Sequence, residues 1–131
     1  MERLWTYLAI ALGSALGGAG RYWLSGVVAQ RFGETFPWGT LLVNVSGSFL
    51  IGLFAALAGP EGRLLIPRRF SLFFMPGLCG GYTTFSSFSL QTLKLAQEGE
   101  WLQAGANASL SLVLCLLAVW VGHLAGQLLN R

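Results

Sequence analysis

The stretch Pro76-Gly77-Leu78-Cys79-Gly80-Gly81-Tyr82-Thr83-Thr84-Phe85-Ser86-Ser87-Phe88-Ser89 sits inside an uncharged run from Phe70 to Leu93. As a helix, a run of about 20 apolar residues crosses the roughly 30 Å of a bilayer's hydrocarbon. Pro76 removes an amide donor, and the adjacent glycines Gly80 and Gly81 each weaken a helix by about 1 kcal/mol. A helix broken at mid-membrane is therefore predicted. Backbone freed from helical pairing at that depth must be buried in protein or line a cavity, because its carbonyls need partners. A bound cation would be one such partner. Beyond the break Phe85 and Phe88, three apart, share a face, and Thr84, Ser87 and Gln91 form a polar face beside it. By spacing alone, the phenylalanine pair reads as packing.

Outward from this stretch, the rest of the 131-residue chain has the composition of a membrane protein. It is 54% hydrophobic and 10% charged, with a mean hydropathy of +0.63, whereas a soluble domain carries about 25% charge. The charges fall between apolar runs, which places four spans at about residues 4–31, 38–58, 70–93 and 101–128 of one transmembrane domain covering residues 1–131. Arg31 and Glu34, then Glu61, Arg63, Arg68 and Arg69, then Lys94, Glu98 and Glu100 occupy short loops rich in turn residues. Trp5, Trp38 and Trp101 stand at span ends, as interfacial aromatics do. The first run is too long for a cleaved secretory signal, so a retained helix is expected. An even number of spans puts both termini on one side. That side receives Arg3, Arg63, Arg68, Arg69 and Arg131, against Arg31 and Lys94 on the other, which predicts cytoplasmic termini. The net charge of +3 is dispersed over loops and calls for no nucleic-acid partner.

Catalytic and metal chemistry find few parts. There is one histidine, His123, and two cysteines, Cys79 and Cys115, too few for a zinc site or an oriented nucleophile pair. Both cysteines lie in apolar runs and read as free packing thiols, and His123 as an interfacial or helix-packing residue. The spans instead contain glycine and buried polar groups. Gly13 and Gly17, with Gly20 on the same face, have the small-xxx-small spacing of close helix packing. Arg21 lies deep in the first run, where a guanidinium needs a partner or water: an aqueous vestibule is expected, with snorkelling to an interface as the alternative. Thr40, Asn44 and Ser48 make one stripe on the second span, and Asn107, Ser111 and Cys115 another on the last. An unpaired Asn44 amide in hydrocarbon costs several kcal/mol, so it either bonds another helix or faces a pore. Two such stripes point to something hydrophilic between the helices.

Three motifs now resemble one family, the Fluc (CrcB) fluoride channels: Gly17-Gly18-Ala19-Gly20-Arg21-Tyr22, Pro37-Trp38-Gly39-Thr40-Leu41-Leu42-Val43-Asn44, and Gly80-Gly81-Tyr82-Thr83-Thr84-Phe85-Ser86-Ser87-Phe88. The resemblance covers nearly the whole chain. It implies an all-α membrane protein of four spans, paired as an antiparallel, dual-topology homodimer with two fluoride pores and one central structural sodium ion. Carried over by position, Gly80 and Thr83 look like the residues whose backbone carbonyls hold sodium. Phe85 and Phe88 resemble the phenylalanines that offer their positive ring edges to fluoride. Asn44 and Ser111 match pore-lining donors, with the Thr40, Thr84 and Ser87 hydroxyls as further donors, and Arg21 matches the vestibule arginine. Asn107 departs from the aromatic hydroxyl residue expected there, and Cys115 from a small or hydroxyl residue. The implied activity is passive export of cytoplasmic fluoride across a prokaryotic inner (plasma) membrane, with no enzymatic step. A proton-coupled exporter would need an intramembrane Glu or Asp, which the spans lack. A structural membrane subunit would use the polar stripes as glue and leave liposomes sealed to fluoride.

Overall fold

The computed structural model describes residues 1–60, 62 and 64–131. Glu61 and Arg63, counted above among the loop charges, lie outside them. The described residues form an all-helical bundle of four rods and contain no strand. The first rod is α1 (Glu2–Phe32), the second α2 (Trp38–Ala58) and the last α6 (Trp101–Leu129). The third is composite: α3 (Arg68–Leu72), a π-helical segment (Phe73–Cys79), the single turn α4 (Gly80–Tyr82), and then α5 (Phe85–Gln97). Gly33, at φ 80°, supplies the left-handed conformation that turns the chain out of α1.

The third rod is broken, but beyond the residues expected to break it. Pro76 and Gly77 are absorbed into the π-helical segment, whose wider i→i+5 bonding tolerates a missing donor and the proline ring. Gly80 and Gly81 remain helical. The chain leaves the helix at Thr83 (φ −82°, ψ 156°) and Thr84 (φ −151°, ψ 113°), both extended. β-Branched residues favour that conformation. Thr84 then caps α5, its Oγ1 accepting from the Ser87 N–H at 3.1 Å.

Glycine sets how closely the rods approach. α2 packs most extensively on α6, and α1 on the π-helical segment and α4. A Cβ on Gly52 would collide with the Val119 carbonyl, and one on Gly122 with the Phe49 carbonyl, so α2 and α6 touch backbone to backbone. Gly13 and Gly17 lie in the same way against the Phe73 and Leu78 carbonyls of the third rod. Arg69 ties the start of α3 to α1, 3.4 Å from Glu2 and 5.6 Å above the Trp5 ring.

The outside of this bundle is apolar. α2 and α6 are the two described helices long and apolar enough to cross a bilayer, each holding an 18-residue stretch with a mean hydropathy of 2.1. The other rods miss that measure for separate reasons: α1 dilutes its leucines with glycines, hydroxyls and Arg21, and the third rod is interrupted. Only 11% of that stretch of α6 is buried, whereas the core helix of a soluble protein would be covered. Leu102, Leu116 and Leu128 are 88%, 61% and 62% exposed, a surface suited to lipid or another protein and unsuited to water.

Candidate functional site

The break in the third rod is held from α2. The Thr84 N–H donates to Asn44 Oδ1 at 2.7 Å, and Asn44 Nδ2 donates to the Thr84 carbonyl at 3.0 Å. One side-chain amide thus replaces both backbone partners of an extended residue. Because the Thr84 N–H is committed to Asn44, the Gly80 carbonyl four residues back has lost its helical donor. Thr83 folds back instead: its N–H and its Oγ1 both donate to the Cys79 carbonyl, at 3.0 and 2.9 Å. Tyr82 is fixed by a 2.8 Å hydrogen bond between its hydroxyl and Ser46. Arg21 Nε donates to the Gly81 carbonyl at 3.3 Å, so the half-buried guanidinium sits beside the frayed end of α4, where helix carbonyls concentrate negative charge.

A cavity of about 360 Å³ opens beside this break. α2 contributes Asn44, Gly47 and Ser48, the third rod Gly80, Thr83, Thr84, Phe85 and Phe88, and α6 Ser111 and Cys115. The Phe85 and Phe88 rings stand 5.3 Å apart, tilted by 52°, and Phe85 is 78% exposed, far from a core-packing residue. Asn44 bonds another helix, the first of the alternatives read from sequence, and also lines the cavity. Asn44 Nδ2 carries two hydrogens and spends one on Thr84.

Not every expected residue joins them. Thr40 is buried and lines a second cleft, of about 700 Å³, around the α1–α2 loop, together with Tyr22, Ser25, Gln91, Lys94 and Glu98. The stripe Thr40, Asn44, Ser48 is thus divided between two spaces, because neighbouring rods cover the helix differently along its length. Ser87 is half-buried and donates its backbone N–H to the Thr84 hydroxyl that caps α5. The polar face of Thr84, Ser87 and Gln91 is divided likewise, Thr84 on the cavity and Gln91 on the cleft. His123 is exposed. Ser46, Gly47 and Thr92 were not legible as site residues. For Ser46 a signal existed, since a tyrosine hydroxyl such as that of Tyr82 within a span requires a partner.

The profile of the CrcB-like protein, Camphor Resistance (CrcB) family matches residues 8–123. A protein named fluoride-specific ion channel FluC from Rhodospirillum rubrum is 61% identical over 126 residues, covering 96% of this chain and 98% of its own length. Proteins of the same name from Paramagnetospirillum magneticum and Opitutus terrae are 60% and 63% identical, covering 96% and 95% of this chain and 98% and 94% of their own. With a matching profile over most of its length and relatives this similar end to end, the chain belongs to the CrcB family.

Proposed function

We propose that this chain is a fluoride-selective channel of the membrane, passively conducting fluoride, and not an enzyme. The carrying observation is the cavity in which Asn44, Ser111, Phe85 and Phe88 converge beside the broken rod. Relatives named fluoride-specific ion channels, alike over nearly the full length, support it. Fluoride is small and strongly hydrated, so a pore must replace its water with donors. The second Asn44 N–H and the Thr84 hydroxyl can do so, the Ser111 hydroxyl, which donates to Asn107 Oδ1 here, joins them once its proton turns to the cavity, and the tilted phenylalanine rings offer edges, the positive part of an aromatic quadrupole. Neutral donors bind a small anion without trapping it. Arg21 raises the local anion concentration at a vestibule.

The finer reading is that two copies assemble antiparallel, with a pore along each side of their interface, four spans per subunit, in a prokaryotic inner membrane. A surface as apolar as that of α6, with the cavity open at exposed Phe85, is what a second copy would cover. A structural sodium fits the break: the Gly80 carbonyl has lost its helical donor, Thr83 lies at the same turn, and hard cations take oxygen ligands. Two copies would supply four carbonyls, and the bound ion would tie them together electrostatically. Efflux of fluoride from liposomes holding the purified protein is the test. Rapid fluoride loss with chloride retained supports the reading, and liposomes that stay sealed to fluoride overturn it.

A further inference from the structure

Asn107, 1% exposed, is the most deeply buried polar side chain among the described residues. Its Nδ2 donates to Thr92 Oγ1 on α5 at 2.9 Å, while its Oδ1 accepts from Ser111 Oγ, one turn along α6, at 3.3 Å. Thr92 in turn donates to the Phe88 carbonyl at 2.8 Å. The four residues form one hydrogen-bonded line, and the two at its ends, Ser111 and Phe88, line the cavity.

A hydroxyl has a single proton. Here Ser111 spends it on Asn107 Oδ1, so toward the cavity it presents only lone pairs, which repel an anion. Turning the amide half a revolution exchanges the roles. Nδ2 then donates to Ser111 Oγ, the Ser111 proton swings toward the cavity, and Thr92 turns its own proton to Oδ1. The Phe88 carbonyl keeps its donor from the helix ladder. A hydroxyl that accepts an N–H is polarised and becomes the stronger donor. Only a side chain carrying a donor and an acceptor on one planar group can make this exchange.

We propose that Asn107 is a positioning residue of the fluoride pathway, whose amide orientation decides whether the Ser111 hydroxyl donates into the protein or to an anion in the cavity. This rests on reading the cavity as the fluoride pathway.

The test is fluoride efflux from liposomes holding the full chain, in a cycle of three substitutions. Asn107→Leu keeps volume but removes both partners. Ser111 then bonds back to its own helix, and flux is expected to fall about tenfold, the scale of one lost hydrogen bond. Thr92→Val takes two hydrogen bonds from the observed orientation, Nδ2 to Oγ1 and Oγ1 to the Phe88 carbonyl, but only one from the turned orientation, Oγ1 to Oδ1, so the turned orientation gains and flux is expected to rise about two- to threefold. Loosened packing would lower flux in both, so the opposite signs are diagnostic. In a Ser111→Ala background both effects should shrink below about twofold, as coupled groups require. Effects undiminished in that background, or a loss in Thr92→Val, overturn the proposal. If Asn107→Leu does not fold, Thr92→Val against Ser111→Ala carries the test alone. Ser111→Ala protein conducting like the parent would instead sink the placement of Ser111 in the pathway, a separate failure of the reading beneath.

Discussion

At the scale of single residues, Asn44 and the phenylalanine pair carry the sharpest expectations. Asn44→Ala leaves the Thr84 N–H and carbonyl without the partners that now sit at 2.7 and 3.0 Å. A fully buried backbone group so orphaned costs about 1–3 kcal/mol, and the half-buried Thr84 groups lose part of that. Thermal unfolding of Asn44→Ala is therefore expected several degrees below the parent, with fluoride efflux reduced as well. An unchanged melting temperature would mean that water replaces the amide. Phe85→Ile and Phe88→Ile test a different property, since they preserve much of the volume and apolarity while removing the ring edge. For Phe85, 78% exposed in a single chain, packing has little to lose. Sharply lower flux from well-folded variants is expected, and full flux would defeat the ligand role. For Arg21, bonded to the Gly81 carbonyl, replacement by Ala should slow fluoride entry most at low salt, where anion attraction is least screened, and leave selectivity intact.

At the scale of elements, the geometry depends on backbones that touch. α1 meets the third rod at Gly13 and Gly17, where any Cβ would run into the Phe73 and Leu78 carbonyls. Gly17→Leu is accordingly expected to separate α1 from α4, withdraw Arg21 from Gly81, and abolish folded, fluoride-conducting protein. Gly26→Leu, on the same helix with nothing within 4 Å of the added Cβ, should leave both yield and flux close to the parent. Recovery of folded protein by size-exclusion chromatography distinguishes them, and normal yield from Gly17→Leu would show that α1 can shift without cost. The composite third rod illustrates how local rules compete. Proline and paired glycines predict a break where they stand, yet a π-helical segment accommodates Pro76 and the helix survives through Tyr82. What ends it is the pair of extended threonines, whose amide and carbonyl Asn44 takes from another helix.

At the scale of the whole molecule, the apolar exterior and the donorless Gly80 carbonyl bear on assembly. If two copies close around sodium, the purified protein should crosslink as a dimer in membranes. Its melting temperature should fall when sodium is exchanged for a large organic cation, since a ligand bound to the folded state alone stabilises it. A melting temperature indifferent to sodium would remove the ion from the reading. The sequence by itself determined the helical rods, because hydropathy and charge placement depend on composition along the chain: α2 begins and ends at the expected Trp38 and Ala58, and α6 begins at Trp101. It also marked Asn44 and Ser111 as polar groups needing an explanation, since an amide or hydroxyl among leucines is costly wherever it points. Which neighbour meets each group was decided only by the tertiary structure. Helical spacing put Thr40 on a stripe with Asn44, but the packing of α1 and α5 around the helix end sent it to another cleft. The Asn107–Thr92 bond joins residues 15 apart in sequence on different rods, and the Asn44–Thr84 pair spans 40. Such partners follow from the rotation and depth at which glycine-lined helices settle against one another, quantities that no local pattern along the chain encodes.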